Sequence, residues 1–159
     1  MSNIPDAPVS GRILALDVGK KRIGLAVSDE LGITAQGIPT LERTRIRDDL
    51  NRLRDLAAHW QVRLLVIGNP LHMKGTESRQ SEYTKEFAGR LAEHLGLPAV
   101  FWDERLTSAE AERMLRESGA TLDERKKAVD RLAAVLLLES FLENRRIAAA
   151  SSERGEPVE

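Results

Sequence analysis

The stretch Ile13-Leu14-Ala15-Leu16-Asp17-Val18-Gly19-Lys20-Lys21-Arg22-Ile23-Gly24-Leu25-Ala26-Val27-Ser28 decides how this chain folds. From Ile13 to Val18 every residue but Asp17 is apolar. A short, nearly continuous apolar run that ends at a turn reads as a strand buried on both faces. The basic turn Lys20-Lys21-Arg22 then leads into Ile23 to Ser28, a second strand. A third extended segment is predicted over Ile33 to Leu41. Connections this short make the three an antiparallel meander.

Beyond the meander the periodicity changes. Ile46, Leu50, Leu53, Ala57 and Trp60 recur at helical spacing. Leu64 to Ile67 is another buried strand, ending at Gly68-Asn69-Pro70. Tyr83, Phe87, Leu91 and Leu95 mark a second helix, stopped by Gly96 and Pro98. Ala99 to Trp102 is a fifth strand, ending at Asp103-Glu104. Thr107 with Glu110, and Thr121 with Glu124, have capping-box spacing. They open two further helices, with Gly119 suited to end the first. Val129, Leu132, Ala133, Leu136, Leu137 and Phe141 line the second. The order β-β-β-α-β-α-β-α-α predicts an α/β fold with a mixed five-stranded sheet flanked by helices. A ribonuclease-H-like arrangement has this order, whereas a plain dinucleotide-binding domain would alternate from the start.

The chain has 159 residues, which fits one domain. Residues 1–10 and 148–159 carry Pro, Ser and Gly and read as tails, leaving a body over 11–147. The 24 Lys and Arg nearly balance the 25 Asp and Glu. That excludes a binder driven by strong overall positive charge but allows local basic patches. Cysteine is absent, which excludes disulfides, thiolate zinc sites and thiol catalysis. No apolar run reaches membrane-span length, and Met1 to Asp6 lack the regions of a signal peptide. A soluble, cytoplasmic protein with no membrane partner is the expectation.

The most informative residues are acids standing where apolar residues belong. Asp17 interrupts a buried strand. Glu104 ends the fifth strand. Asp130 shares a helical face with Ala133, Ala134, Leu137 and Phe141. A buried carboxylate is costly unless compensated. A hard divalent cation such as magnesium compensates it. Three such carboxylates can serve metal-assisted phosphoryl chemistry. Each acid alone also has an ordinary reading: Asp17 as a turn cap, Glu104 paired with Arg105, Asp130 paired along its helix with Lys126 or Lys127.

Cations flank each acid. Lys20, Lys21 and Arg22 follow Asp17, Arg105 follows Glu104, and Arg125, Lys126, Lys127 and Arg131 surround Asp130. A basic collar around an acidic site suits a polyanion cut at a metal, although it equally describes a solvated charged face. Lys21, Arg22 and Arg105 are candidate phosphate contacts. His72 and Lys74, in the loop after the fourth strand, are candidate substrate contacts because ligands gather at the carboxyl ends of such strands. His59 and His94 sit near helix ends and read as structural. Gly19 and Gly24 also suggest the phosphate loop of sugar kinases and actin-like ATPases. Those enzymes close two lobes on a nucleotide, and this chain is too short to build both.

Four segments carry a family resemblance. They are Leu14 to Gly19 with Arg22 to Ala26, Val66 to Pro70, Asp103 to Ser108, and Lys127 to Ala134. In this order they resemble the YqgF-type (RuvX) family over about residues 11–143. This family is described both as Holliday-junction-resolvase-like and as pre-16S ribosomal RNA nucleases. The resemblance implies a ribonuclease-H-like fold and phosphodiester cleavage dependent on Mg2+ or Mn2+, with an acidic triad at Asp17, Glu104 and Asp130. It further implies maturation of the 5′ end of small-subunit ribosomal RNA, with branched DNA as the alternative substrate. A non-catalytic nucleic-acid-binding regulator on the same fold is a second reading. Family loops often read Gly-Leu-Pro-Leu-Asn-Met-Asp-Gly. Here Asn69, His72 and Lys74 replace the Leu, Asn and Asp, which bears on substrate contacts rather than on the acids.

Overall fold

Hydrogen bonding along the opening hairpin sets the sheet. The structure, a computed structural model, describes residues 11–69, 77–103, 113–119 and 121–153. β1 (Arg12–Val18) pairs antiparallel with β2 (Arg22–Ser28) in a register that sets Asp17 opposite Gly24 and Val18 opposite Ile23. β2 pairs antiparallel with β3 (Ala35–Glu42), so the meander stands as the short turns require. Asp29 shapes the β2–β3 turn by accepting the N–H groups of Ile33 and Thr34. The Thr34 N–H above all, with help from Ile33 and against some desolvation, holds the Asp29 carboxyl below its ordinary pKa.

α1 (Ile46–His59) crosses to β4 (Val62–Asn69), which runs parallel to β1. α2 (Glu77–Leu95) then crosses to β5 (Ala99–Asp103), parallel to β4. Gly96 ends α2 with a positive φ of 66°, a conformation that costs a glycine little. The five strands stand in the order β3-β2-β1-β4-β5, the mixed sheet expected. The long helix α3 (Leu122–Glu153) opens on the anticipated capping box. Thr121 and Glu124 exchange side-chain bonds with each other's backbone N–H. α3 runs to Glu153, past the Ile147 at which the body was expected to end. Residues 113–117 are helical, and Gly119 follows with positive φ. The Thr107 and Glu110 spacing lies outside the described residues.

The sheet separates two cores. On one face Leu14, Leu16, Ile23, Leu25, Leu65 and Ile67 pack with Leu53 of α1 and with Phe87 and Leu91 of α2. On the other, Ile13, Ala15, Ala26, Leu64 and Val66 pack against Ala134, Leu137, Leu138 and Phe141 of α3. Alternation along a strand gives each face every second residue. Asp17 continues Ile13 and Ala15, so it belongs to the face that α3 covers. Burying each large side chain there is worth roughly 1.5–3 kcal/mol.

α3 lies unusually close to β2 and β3. A Cβ on Gly24 would stand 1.9 Å from the Asp130 carbonyl oxygen, and one on Gly37 would stand 2.7 Å from the Arg131 Cγ. The first contact is with backbone and cannot yield without moving the helix. Gly24→Ala is therefore expected to destabilise the fold by at least about 1–3 kcal/mol, the range for overpacking. Gly89→Ala, on an open face of α2, is expected to be neutral or mildly stabilising. Urea unfolding of both variants checks this.

Candidate active site

The main chain of one predicted acid, Asp130, rests on the β2 residue that pairs with another, Asp17. Asp17 is directly opposite Gly24 in the β1–β2 ladder, and the main chain of Asp130 rests on Gly24. The glycine leaves no side chain between the strand and the helix. Both acids are half-buried. Asp17 lies near the carboxyl end of β1, beside the carboxyl ends of β4 and β5, which finish in register at Asn69 and Asp103. Ligands of open α/β sheets gather at that edge. Glu104 follows Asp103 in sequence, but Glu104, Arg105, His72 and Lys74 lie outside the described residues.

The predicted phosphate contacts divide. Lys21 is exposed at the tip of the β1–β2 turn, together with Lys20. Arg22 is turned inward. Its Nε donates to Asp130 Oδ2 at 2.7 Å, an ion pair between positions far apart in sequence. The Arg22 side chain is 35% exposed and that of Asp130 is 22% exposed. Arg22 is a tertiary partner for Asp130, distinct from the along-helix pairing that is its ordinary reading; the Lys126 and Lys127 side chains lie outside the described residues. A candidate phosphate contact thus holds a candidate metal ligand.

Among the described residues the two candidate ligands, Asp17 and Asp130, offer oxygen. His94 bonds Asn51 at 2.8 Å, and His59 packs edge-on against Trp60, both at the carboxyl ends of their helices. Neither described histidine stands with the acids. Half-buried carboxylates without imidazole or thiolate suit magnesium or manganese better than zinc. Among the described residues no group of three or more acids or histidines converges, so Asp17 and Asp130 form an incomplete set without Glu104.

A second charged cluster was missed in the sequence. Asp49 of α1 is fully buried. Its Oδ1 accepts the Thr44 N–H and hydroxyl at 3.0 and 3.2 Å, and its Oδ2 stands 3.4 Å from Arg43 Nε. Arg43 in turn donates through Nη1 to the Gly19 carbonyl at 3.2 Å, and its own N–H donates to the Lys21 carbonyl at 2.9 Å. The β1–β2 turn is therefore anchored from α1. Asp49 stands three residues after Ile46 and four before Leu53, on an apolar helical stripe. That is the same signal that singled out Asp130.

The Arg22–Asp130 pair is open to water on one side, so its net value is small, about 0.2–1 kcal/mol. A double-mutant cycle of Arg22→Gln and Asp130→Asn in urea is expected to give a coupling energy in that range. A salt titration is expected to weaken it, because an exposed pair is screened.

Comparison with known proteins bears on the family and the fold. A family model described as "RuvX: Holliday junction resolvase" matches residues 11–144. A protein of Koribacter versatilis named "Putative pre-16S rRNA nuclease" is 51% identical over 150 residues, covering 94% of this chain and 95% of that one. A protein of the same name from Symbiobacterium thermophilum is 45% identical, covering 84% and 93%. Among solved structures, T. thermophilus RuvC in complex with a Holliday junction substrate aligns with a TM-score of 0.54. It is 14% identical and covers 85% of this chain and 96% of that one. At that identity the likeness concerns the fold, which is the ribonuclease-H-like arrangement anticipated from the element order. With a family model spanning most of its length and close relatives matched almost end to end, this chain belongs to the RuvX family.

Proposed function

We propose that this chain is a divalent-metal-dependent nuclease that hydrolyses phosphodiester bonds in the precursor of 16S ribosomal RNA. The observation that carries this reading is the meeting of Asp17 and Asp130 at the carboxyl edge of the sheet, beside the basic β1–β2 turn. The names of its relatives favour the ribosomal precursor over other substrates. Such a substrate is met in the cytoplasm. In keeping with that, no described helix is long and apolar enough to cross a membrane.

Asp17, on a strand hydrogen-bonded on both sides, is the rigid ligand. Asp130 faces it from α3, and Glu104 is the proposed third carboxylate. When bound, the metal supplies a Lewis acid and an activated water. The protein's own part is to hold the carboxylates and the phosphate in place. Arg22 orients Asp130 through the 2.7 Å contact of its Nε with Oδ2. With a metal bound, Asp130 would be one of its ligands, and the Arg22 guanidinium beside it offers a planar fork suited to a phosphate oxygen. Lys21 meets the strand from solvent. Arg105, His72 and Lys74 are proposed substrate contacts from the segments after β5 and β4.

A second reading has one observation in its favour, the family's description as a Holliday junction resolvase, which would make branched DNA the substrate. Matched pre-16S RNA and four-way DNA junction substrates separate the two. Wild-type protein with manganese is expected to cut the RNA and spare the junction. Asp17→Asn is expected to lose cleavage by on the order of 10²–10³-fold, the scale of losing one charge-stabilising group. Cleavage that survives both Asp17→Asn and chelation would refute the metal-dependent reading. Tight binding without any cleavage would leave a nucleic-acid-binding regulator.

A further inference from the structure

Tyr83 is the chain's single tyrosine and stands on the helix its spacing predicts, but less covered than its neighbours on the stripe. It shares a stripe of α2 with Phe87 and Leu91, both buried, yet Tyr83 is 36% exposed. Arg43 fixes it there. The Arg43 guanidinium lies over the Phe87 ring at 4.8 Å and over the Tyr83 ring at 5.4 Å, and its Nη1 donates to the Tyr83 hydroxyl. The same Nη1 donates to the Gly19 carbonyl. One nitrogen thus joins the tyrosine to the turn that carries Lys20 and Lys21, both exposed.

This arrangement is expensive if it serves stability alone. The Arg43 side chain is only 9% exposed and Asp49 is 0% exposed. Removing two charges from water costs more than an apolar pair of similar shape would. What the pair provides is position: an aromatic ring with little rotational freedom, part of it open to solvent, beside two cations. Unpaired bases bind proteins by stacking on such rings while their phosphates meet Lys and Arg. A ring already ordered loses little further entropy on binding.

We infer that Tyr83 and the Gly19–Arg22 turn form a subsite for an unpaired nucleotide of the RNA strand. The base stacks on the exposed part of the Tyr83 ring, and the flanking phosphates lie on Lys20 and Lys21. Arg43 and Asp49 are positioning residues that hold ring and turn together. The placement of this nucleotide next to the scissile bond rests on the nuclease reading above, whereas its binding does not.

The test is binding of a short single-stranded RNA and of a duplex RNA of equal length, followed by fluorescence anisotropy in a chelating buffer. Tyr83→Leu is expected to weaken single-strand binding about five- to a hundredfold, the scale of one lost stack, with duplex binding unchanged. Tyr83→Phe, which keeps the ring, is expected to stay within about twofold of wild type, and Tyr83→Trp to bind at least as tightly. The Tyr83→Phe and Tyr83→Trp variants keep the test decisive if Tyr83→Leu folds poorly. A 2-aminopurine in the single strand is expected to be quenched by wild type and not by Tyr83→Leu. Equal losses on single strand and duplex, no loss with Tyr83→Leu, or weak binding by Tyr83→Trp would overturn the subsite. Asp17→Asn is expected to bind normally in the same buffer and, assayed separately with manganese, not to cleave. If it cleaves, the nuclease reading falls while the subsite is still judged by binding.

Discussion

The backbone of Asp130 rests where Gly24 would carry a side chain, and the rest of the site depends on that approach. α3 buries Ala134, Leu137, Leu138 and Phe141 against the sheet, a gain that fixes the helix along its length. Gly24 and Gly37 set how near its first half can come. Because Gly24 pairs with Asp17, the same closeness brings the main chain of Asp130 over the strand pair that carries Asp17. Interiors are close-packed and do not stretch. A larger residue at position 24 would lift the helix and open the site together.

Charge is handled in two pairs of different kinds. Arg22 and Asp130 are half-open to water, so the pair is weak and can exchange partners. Arg43 and Asp49 are buried, surrounded by Thr44, Gly19 and two aromatic rings, so the pair is permanent. Breaking it by removing one partner would strand a charge in the interior. One pair borders the proposed chemistry, and the other fixes the turn beside it. The near balance of cations and anions in the whole chain conceals this division, because opposite charges from different elements cancel in the sum.

Much of the fold could be read from pattern. The apolar runs at Ile13 and Ile23, the short turn between them and the later helical spacings were enough for the sheet and its helices. The capping box at Thr121 was also read correctly, since it uses only local bonds. The end of α3 was not. Ala148, Ala149 and Ala150 favour helix, and once a helix is nucleated extending it costs little, whereas Ser151 and Ser152 suggested a tail. Asp17 and Asp130 were visible as acids on apolar faces. Asp49 obeyed the same rule and was passed over. Tyr83 was counted only as a helix marker, and spacing cannot tell whether the end residue of a stripe is covered.

By itself the sequence determined the elements, their order and the anomalous acids, because these follow from interactions between residues a few positions apart. The meeting of Asp17 with Asp130, the capture of Asp130 by Arg22 and the bridge from Asp49 through Arg43 to Tyr83 and Gly19 were decided only by tertiary structure. Each joins residues from separate segments of the chain. Which charges become neighbours depends on how near α3 and α1 can approach the sheet. That distance is set by packing volume at positions such as Gly24, which no local periodicity encodes.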